Sequence, residues 1–336
     1  MPLIAVTDRG RTLHLDGRRG SGSEGVVYAV EEPPGLVAKL LLRPGDPAEA
    51  ERRLDSLVRL GRKLGTTQLW AGSPPRAAWP VARITTADQE ARGFVMPDMA
   101  RYYHPLDEFL AAPYGQPPFR GATWATALTA AANLARLVAD LHAACYIAGD
   151  MKPDNLWADQ HGNVGISDVD SFQFTDGSKT FPCRVHSPEY TAPEGIDTPH
   201  PKVTEHSDDF TLAVLIHQLL MAGLHPFYGM PGDGAPYISV DDNILHGRSR
   251  IIDPGSIRPV PGAPSPSLLP RRLRQLFQEC FSERGLREPG SRPTAACWLE
   301  ALEASRAPVR LRRCTTVSRH IFAAERPWCP WCPLEA

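Results

Sequence analysis

The chain has 336 residues, of which 42% are hydrophobic, so it is long and apolar enough to fold as a two-lobed domain with a small appendage. Lysine and arginine number 36 against 38 acidic residues, so no global positive field draws the protein to nucleic acid or anionic lipid. The first residues lack a basic region followed by an apolar run, and no apolar stretch reaches ~18 residues, so we expect a cytoplasmic protein without a membrane span.

The first part of the chain has the pattern of an antiparallel sheet. Apolar residues alternate at Leu13 and Leu15, and apolar runs cover 26–30 and 36–42. Pro33-Pro34-Gly35 lies between the last two runs and predicts a turn. Farther along the chain, the apolar segments 78–81 and 93–96 also predict strands.

Helical periodicity dominates the rest of the chain. Apolar residues recur at helical spacing between Asp46 and Leu64, and Asp46-Pro47 supplies a cap followed by a first-turn proline. The same spacing predicts helices over 122–144, 208–223, 273–281 and 294–303. A sheet followed by mainly helical segments predicts an α+β fold.

Three glycines, Gly20, Gly22 and Gly25, lie between the first two predicted strands. Glycines in such a hairpin let backbone N–H groups approach phosphate oxygens. Because 26–30 predicts a strand and not a helix, the pattern excludes a strand-loop-helix dinucleotide site. Taken alone, the glycines are equally compatible with an ordinary turn.

Lys39 stands in the middle of an apolar predicted strand, Val37-Ala38-Lys39-Leu40. Burying an ammonium group is costly, so this lysine should have both an anionic ligand and a carboxylate partner. We expect the partner to be Glu51 on the following helix, and Glu49 is the competing candidate. Either glutamate is also compatible with a solvated helical charge.

Asp150 follows the apolar segment 141–147 and should lie on a loop held by packed elements, where its carboxylate orients and accepts the proton of a hydroxyl. The amide oxygen of Asn155 suits a magnesium ion, and Lys152 is placed to neutralise a transferred phosphoryl group. Asp168 ends a predicted hairpin that returns it as a second metal ligand. The alternative reading of any single aspartate is a turn cap.

The glycine loop, the lysine, the two aspartates, the asparagine and Ala192-Pro193-Glu194 together resemble the eukaryotic-type protein kinase superfamily. This resemblance implies a bilobal protein-kinase-like fold with an antiparallel β N-lobe at 1–99 and a mainly helical C-lobe at 100–304. It also implies an enzyme that uses ATP with Mg²⁺ or Mn²⁺ to phosphorylate a protein. Lys152 resembles the lysine of Ser/Thr rather than Tyr kinases.

The resemblance assigns roles to individual residues. Lys39 would grip the nucleotide phosphates, Asp150 would be the catalytic base, and Asn155 with Asp168 would bind magnesium. Asp208 would anchor the backbone of the catalytic loop, and Glu194 would pair with Arg292. The implied nucleotide contacts are Gly20, Gly22, Gly25, Val27, Ala38, Lys39, Met96, Asp98, Met99, Asn155 and Asp168.

Gly149-Asp150-Met151 and Asp168-Val169-Asp170, with the cysteine-bearing end of the chain, resemble the kinases of tellurite-resistance-type phosphorylation triads. That subgroup implies two partners, a von Willebrand A-domain protein and a metal-dependent protein phosphatase. Ala148-Gly149 replaces the usual His-Arg, and Val169-Asp170 replaces the usual Phe-Gly. These departures leave open a pseudokinase scaffold; a small-molecule phosphotransferase is disfavoured by the peptide-binding pattern of 190–194.

The last cysteines form a second chemical pattern, Cys314, His320, Cys329 and Cys332. Three thiolates and one imidazole are a complete tetrahedral set for zinc, and a full set leaves no open position for catalysis, so we expect a structural zinc knuckle at 305–336. A redox-active Cys-x-x-Cys pair is the remaining alternative. Arginines surround this segment, but aromatic residues are poorly interleaved among them, and we do not expect nucleic-acid binding.

Overall fold

The computed structural model describes residues 3–22, 25–42, 46–64, 74–88, 91–111 and 116–334. The chain forms two compact units. The first comprises Met1–Tyr103, Gly165–Asp170 and Asp176–Phe181, and the second comprises His104–Val164, Ser171–Thr175 and Pro182–Ala336. Residues 305–336 fall within the second unit, and the division into 1–99, 100–304 and 305–336 stays a prediction.

The first part of the chain is rich in strands, and the second part is rich in helices. The strands are β1 (Leu3–Thr7), β2 (Thr12–Ser21), β3 (Gly25–Val30), β4 (Leu36–Leu41), β5 (Ala82–Thr86), β6 (Arg92–Pro97), β7 (His104–Pro105), β8 (Tyr146–Ile147), β9 (Leu156–Ala158), β10 (Val164–Ile166), β11 (Gln173–Asp176), β12 (Lys179–Phe181), β13 (Met230–Pro231), β14 (Ile257–Arg258), β15 (Leu311–Arg313) and β16 (Ile321–Ala323). The helices are α1 (Pro47–Leu64), α2 (Leu106–Ala111), α3 (Trp124–Ala143), α4 (Glu205–Leu220), α5 (Val240–Leu245), α6 (Arg271–Phe281), α7 (Glu283–Arg287) and α8 (Ala295–Ser305).

Six antiparallel strands of the first unit close into a barrel in the order β1-β2-β3-β4-β6-β5. The predicted strands around Leu13 and over 26–30, 36–42 and 93–96 are confirmed as β2, β3, β4 and β6. β1 was not predicted, and it closes the barrel because Ala5 pairs with Leu13 on one side and Thr86 on the other. The residues that fill the barrel are Ala5, Leu13, Leu15, Val30, Ala38, Leu40, Ile84 and Val95.

Helix α1 begins and ends as its sequence predicts. The Asp46 carboxylate accepts hydrogen bonds from the N–H groups of Ala48 at 2.9 Å and Glu49 at 3.2 Å, which satisfies donors that a helix start leaves free. The apolar stripe of the helix is buried through Leu54, Leu57 and Val58.

The strand predicted over 78–81 is wrong, because the strand of this region is β5 and begins at Ala82. The apolar residues of this segment pack against a helix instead of forming a strand, as Trp79 shows. Its side chain is 2% exposed, and its indole Nε1 donates to the carbonyl oxygen of Leu57 on α1 at 2.9 Å. This segment therefore packs against the helix, and Pro80 has no N–H group to offer to a strand ladder.

The second unit is built around α3 and α4. Each begins with a capping box, in which Thr123 and Thr204 accept from the helix backbone while Thr126 and Ser207 return a hydrogen bond. Almost every residue of α4 is buried, so this helix lies in the middle of the unit. Among the described residues, no helix is both long enough and apolar enough to cross a membrane.

Two of the buried histidines in the second unit lie outside the cysteine-rich end of the chain. His217 on α4 donates from Nδ1 to the carbonyl oxygen of Leu224 at 2.8 Å, and His225 donates from Nε2 to that of Glu189 at 3.1 Å. Burial lowers the pKa of His217 to about 4 and, with His217 nearby, that of His225 to about 3. Both imidazoles are therefore neutral in the folded protein at neutral pH.

We expect the free energy of unfolding to fall as the pH drops below about 6.5, the ordinary histidine pKa. Below that pH the unfolded chain binds a proton at each histidine that the folded chain does not bind, at about 1.4 kcal/mol per pH unit per histidine. Urea unfolding between about pH 6.5 and 5 measures the slope. Because an unfolded histidine is only half protonated at pH 6.5, His217→Gln should reduce the average slope over this window by about 1 kcal/mol per pH unit, and the exposed control His200→Gln should keep it; equal slopes in all three proteins would contradict the assignment.

Candidate active site

The glycine loop is the tip of the β2–β3 hairpin. Gly20 pairs with Val27 across the hairpin, and the Gly22 N–H donates to the Gly25 carbonyl oxygen at 2.9 Å. A Cβ on Gly25 would lie 2.7 Å from the carbonyl oxygen of Leu40, so glycine is required there by the close approach of β4. At Gly20 and Gly22 the same added atom would meet no described residue within 4 Å.

Lys39 lies on β4 directly opposite Val27 of β3, and only 5% of it is exposed. Its Nζ donates to Asp168 Oδ1 at 2.9 Å, to Asp170 Oδ1 at 3.0 Å and to Asp170 Oδ2 at 2.9 Å. Burial favours the neutral amine, but the carboxylates of Asp170 and then Asp168 outweigh burial and raise the pKa of Lys39 above its ordinary value. Lys39 is therefore a fixed cation with two acidic neighbours.

The prediction that Glu51 pairs with Lys39 is wrong in this structure. Glu51 Oε1 binds Arg83 Nη1 at 3.1 Å, and Glu51 Oε2 binds Arg92 Nη1 at 2.6 Å. Arg83 also binds Asp55 through Nε at 2.6 Å, so Glu51 and Asp55, one turn apart, share the helix face that meets β5 and β6. The rotation of α1 turns Glu51 toward these arginines, and Glu49 stays an untested candidate.

Asp168 follows β10 and precedes a 3₁₀ turn at Val169–Ser171. Its backbone φ is +57°, in the left-handed region that few non-glycine residues adopt. Strain of this kind occurs at sites where a side chain must be aimed in a particular direction. Its carboxylate is 37% exposed although one of its oxygens holds Lys39.

The loop that carries Asp150, Lys152 and Asn155 lies in the second unit. Asp150 Oδ2 is 3.7 Å from Lys152 Nζ, whereas Oδ1 is buried and has no hydrogen-bond partner among the described residues. Asn155 is 8% exposed, and its Nδ2 donates to the backbone oxygen of Asp150 at 2.9 Å. Because that amide nitrogen serves the loop, the amide oxygen is the atom of Asn155 suited to a cation.

Asp208 anchors this loop from the start of α4, as predicted. Its Oδ2 accepts from the Ala148 N–H at 2.8 Å and its Oδ1 from the Gly149 N–H at 2.9 Å. His142 Nε2 lies 3.1 Å from Asp208 Oδ2. Burial disfavours the charged imidazole, but the Asp208 carboxylate outweighs burial and raises the pKa of His142.

Gly149 occupies the position where the kinase pattern has arginine, and its surroundings admit only glycine. Its φ is +74°, and an added Cβ would lie 2.8 Å from Cys183 Sγ and 2.9 Å from Cys183 Cβ. The departure from the pattern is therefore built into the local backbone.

The predicted pair between Glu194 and Arg292 is confirmed. Arg292 Nη1 and Nη2 donate to the two carboxylate oxygens of Glu194 at 2.8 Å and 2.7 Å. Arg292 also donates to the carbonyl oxygens of Gly285 and His206, and its side chain is fully buried. Four of the five N–H donors of its guanidinium group are used in these contacts, so the pair holds the segment that follows residue 187 in place.

The residues expected near adenine lie on and after β4 and β6. Ala38 pairs with Val95, and Met96 is 8% exposed on β6. The Asp98 N–H donates to the Gly35 carbonyl oxygen at 3.0 Å, and its carboxylate accepts from the Ala100 N–H at 3.2 Å. Met99 is 3% exposed. The nucleotide contacts of Val27, Ala38, Met96, Asp98 and Met99 stay predictions.

Cys314, His320, Cys329 and Cys332 come together at the end of the chain. Their ligand atoms all lie within 4.8 Å of one another. Cys314 Sγ is 3.6 Å from Cys332 Sγ, and His320 Nδ1 is 3.5 Å from Cys329 Sγ and 3.6 Å from Cys332 Sγ. Ligands of a tetrahedral zinc ion lie about 3.5–3.8 Å apart, so the donor set fits this metal.

Backbone hydrogen bonds favour the thiolate form of Cys314, which is the form that binds a metal ion. The N–H groups of Val317 and Thr316 donate to Cys314 Sγ at 3.5 Å and 3.4 Å and lower the pKa of this thiol to about 6. β15 and β16 form the hairpin that carries the site, and Trp331 packs against Trp124 with ring centroids 6.3 Å apart.

Asp170, Arg53 and Arg83, which complete the surroundings of Lys39, were not among the predicted site residues. Asp170 stands two residues after Asp168 and was noted only as a departure from the kinase pattern. Arg53 donates from Nε to the backbone oxygen of Asp170 at 2.5 Å, and Arg83 holds Glu51. In the sequence, the second carboxylate of Asp168-Val169-Asp170 was the feature that could have indicated another acidic partner for Lys39.

The chain is similar in sequence to known protein kinases. A family model described as the protein kinase domain matches residues 121–302, slightly more than half of the chain. Protein kinase YegI of Escherichia coli (strain K12) is 28% identical over 98% of this chain, which spans 50% of YegI. A cAMP-dependent protein kinase catalytic subunit of Arthrobotrys oligospora is 31% identical over 35% of this chain and 21% of its own length.

Solved structures agree on the fold. The ROP18 kinase domain in complex with AMP-PNP and sucrose superposes with a TM-score of 0.58 at 16% identity, covering 91% of this chain and 82% of that one. A rhoptry kinase from Toxoplasma gondii gives a TM-score of 0.59 at 16% identity, covering 91% and 84%. The fold is therefore protein-kinase-like, as predicted.

Proposed function

Because this chain belongs to the protein kinase domain family, we propose that it transfers the γ-phosphoryl group of ATP to a serine or threonine hydroxyl of a protein. The observation that carries the proposal is Asp150 Oδ1, which is buried and unpartnered among the described residues. Leaving such an oxygen unsatisfied costs about 1–3 kcal/mol, so a protein keeps it where a ligand will use it. The ligand proposed is the acceptor hydroxyl, whose proton Asp150 orients and accepts.

The remaining residues take the roles that positioning and charge require. The tip at Gly20 and Gly22 would cover the nucleotide, and Lys39 would hold its phosphates. Lys152, 3.7 Å from Asp150, would neutralise charge on the transferred group, and it favours serine or threonine as acceptor by its resemblance to Ser/Thr kinases. Asp208 keeps the backbone of this loop in place through the Ala148 and Gly149 N–H groups.

The oxygen donors on this chain fit magnesium. The amide oxygen of Asn155 and the carboxylate of Asp168 are hard ligands of the kind that Mg²⁺ prefers, and Asn155 uses its nitrogen elsewhere. When bound, the ion would neutralise phosphate charge. The chain's own part is to hold the two oxygen donors, through the Asp150 backbone for Asn155 and through the turn at Val169–Ser171 for Asp168.

The proposed reaction is tested with γ-labelled Mg-ATP and casein as acceptor. We expect label on casein or on the chain itself, recovered after acid hydrolysis as phosphoserine or phosphothreonine. Label recovered only as phosphotyrosine would contradict the acceptor class. A chain that binds Mg-ATP but labels no protein would instead be a pseudokinase scaffold.

The bacterial context is a further part of the proposal. Similarity to protein kinase YegI of Escherichia coli supports a bacterial signalling role. The von Willebrand A-domain protein as substrate and the metal-dependent phosphatase as its opposing enzyme rest on the resemblance of the Asp150 and Asp168 motifs. The chain spans half of YegI, so partners and substrates of a whole protein of that kind stay proposals.

We also propose that Cys314, His320, Cys329 and Cys332 hold one structural zinc ion. Three sulfurs and one imidazole nitrogen, 3.5–3.6 Å apart in three of their six pairs and all within 4.8 Å, give the complete tetrahedral set, which leaves no position for a substrate. Cys314, Cys329 and Cys332 form no disulfide, so each sulfur is available to bind a metal ion as a thiolate.

A further inference from the structure

The ion pairing of Lys39 differs from the pairing expected of a kinase lysine. Lys39 makes three described carboxylate contacts: two to Asp170, at 3.0 Å and 2.9 Å, and one to Asp168, at 2.9 Å. The carboxylate of Asp170 is also the more buried of the two, at 9% exposed against 37% for Asp168. The better-shielded and doubly bonded partner of Lys39 is therefore Asp170.

The helix carboxylate that would otherwise hold Lys39 is committed elsewhere. Both oxygens of Glu51 bind arginines, Arg83 and Arg92, and Arg83 is also bound by Asp55. Turning Glu51 toward Lys39 would break both arginine contacts. Glu51 is thus part of a charge network on the helix face that meets β5 and β6.

Asp170 is fixed by the same helix from its other side. Arg53 on α1 donates from Nε to the Asp170 backbone oxygen at 2.5 Å, and Arg53 lies two residues from Glu51, on nearly the opposite face of the helix. The turn Val169–Ser171 has buried residues on both sides of Asp170, at Val169 and Ser171. The position of α1 is therefore transmitted to Lys39 through Arg53 and Asp170 instead of a helix glutamate.

The two aspartates have separable tasks. Asp168 is the proposed ligand of a divalent cation, and a carboxylate that binds a cation has less charge to offer Lys39. Asp170 would then be the counter-charge that remains with the lysine when its other neighbour is engaged.

We propose that Asp170 is the positioning residue of Lys39, which keeps the ammonium group oriented toward nucleotide phosphate in the place of a helix glutamate. The inference rests on the proposed kinase function for its consequence in catalysis. The ion pair itself is a property of the chain without nucleotide, so it has a readout of its own.

The first readout is the chemical reactivity of Lys39 without nucleotide. A pulse of acetic anhydride acetylates only neutral amines, and peptide mass spectrometry reports the modified fraction at residue 39. Asp170→Asn removes the carboxylate that makes two of the three described contacts of the Lys39 ammonium group, so it should raise the rate of Lys39 acetylation at least fivefold at a fixed pH. Glu51→Gln and the matched control Asp55→Asn should leave Lys39 reactivity at the wild-type value.

The second readout separates positioning from binding. In single-turnover phosphorylation of casein, Asp170→Asn should slow transfer at least tenfold while the Kd of Mg-ATP stays within about threefold, because Lys39 keeps its charge but loses its orientation. Asp170→Glu restores a carboxylate and should recover at least threefold of the loss. Thermal melting of each variant shows whether the barrel has stayed folded.

These measurements decide whether Asp170 or Glu51 positions Lys39. Unchanged Lys39 reactivity and unchanged transfer in Asp170→Asn, or the same effects appearing in Glu51→Gln, would overturn the proposal. If wild-type protein transfers no phosphate at all, the proposed function fails, and the acetylation rates still decide whether Asp170 holds Lys39.

Discussion

Replacing Asp150 with asparagine should slow phosphoryl transfer by about 10³-fold, within the ~10²–10⁴-fold range of a positioned proton acceptor. The asparagine side chain has nearly the same shape, so the hydrogen bond that Asn155 makes to the backbone oxygen of residue 150 should persist. What is lost is the carboxylate oxygen Oδ1, which is buried and unpartnered among the described residues. Single-turnover transfer to casein at saturating Mg-ATP measures the effect without interference from product release.

Asp154→Asn is the matched control for this measurement. Asp154 lies in the same loop, four residues from Asp150, but it is exposed, so its variant should transfer phosphate within about twofold of the wild-type rate. The Kd of Mg-ATP should be the same in both variants, since neither residue is assigned to nucleotide. An Asp150→Asn protein that stays folded and retains more than a tenth of the wild-type rate would show that Asp150 is not the base.

Elements with strong local patterns could be predicted from the sequence. α1 was located by a capping aspartate and a regular apolar stripe, and the strands that carry the glycine loop and Lys39 by their apolar runs. Short elements, such as α5 and β7, have too few residues to show a period and were missed. Closure of the barrel depends on Ala5 meeting Thr86, a contact between distant residues that periodicity does not reveal.

Within the predicted site, too, residues close together in the sequence could be placed from local patterns, and distant pairs could not. Asp150, Lys152 and Asn155 are near neighbours in sequence, so one loop conformation brings them together. The contact of Asp208 with the backbone of Ala148 and Gly149 and the pair of Glu194 with Arg292 were predicted only through the resemblance to kinases, because they join residues far apart in the chain.

The partner of Lys39 shows why the remainder could not be predicted. Glu51 and Asp170 are both acidic and both lie near strongly patterned segments, so their sequence positions do not rank them. The choice is made by the rotation of α1, which turns Glu51 toward Arg83 and Arg53 toward Asp170. A rotation of this kind is settled by packing of the whole unit and leaves no trace in the spacing of charges.

Removing zinc should unfold the hairpin that β15 and β16 form. Its packing is small, with Phe322 and Trp331 as its main buried aromatic side chains, so the metal is expected to supply most of its stability. The segment contains exposed arginines, including Arg310 and Arg312, which are trypsin sites. With zinc bound we expect slow cleavage there, and after chelation at least tenfold faster cleavage, a change of about 1.4 kcal/mol or more in local opening.

Cys329→Ser and Cys297→Ser separate the metal site from a general loss of thiols. Cys297 is exposed and outside the cluster, so its variant should bind one zinc ion per chain and resist trypsin like the wild type. Cys329→Ser removes one of four ligands and should lose zinc on dialysis and be cleaved rapidly with or without chelator.

A redox pair behaves differently, because Cys329 and Cys332 would then form a disulfide on mild oxidation of protein that carries no zinc. Metal analysis of the purified wild type decides first: a zinc content near zero, with unchanged proteolysis after chelation, would leave the four side chains without a metal to hold.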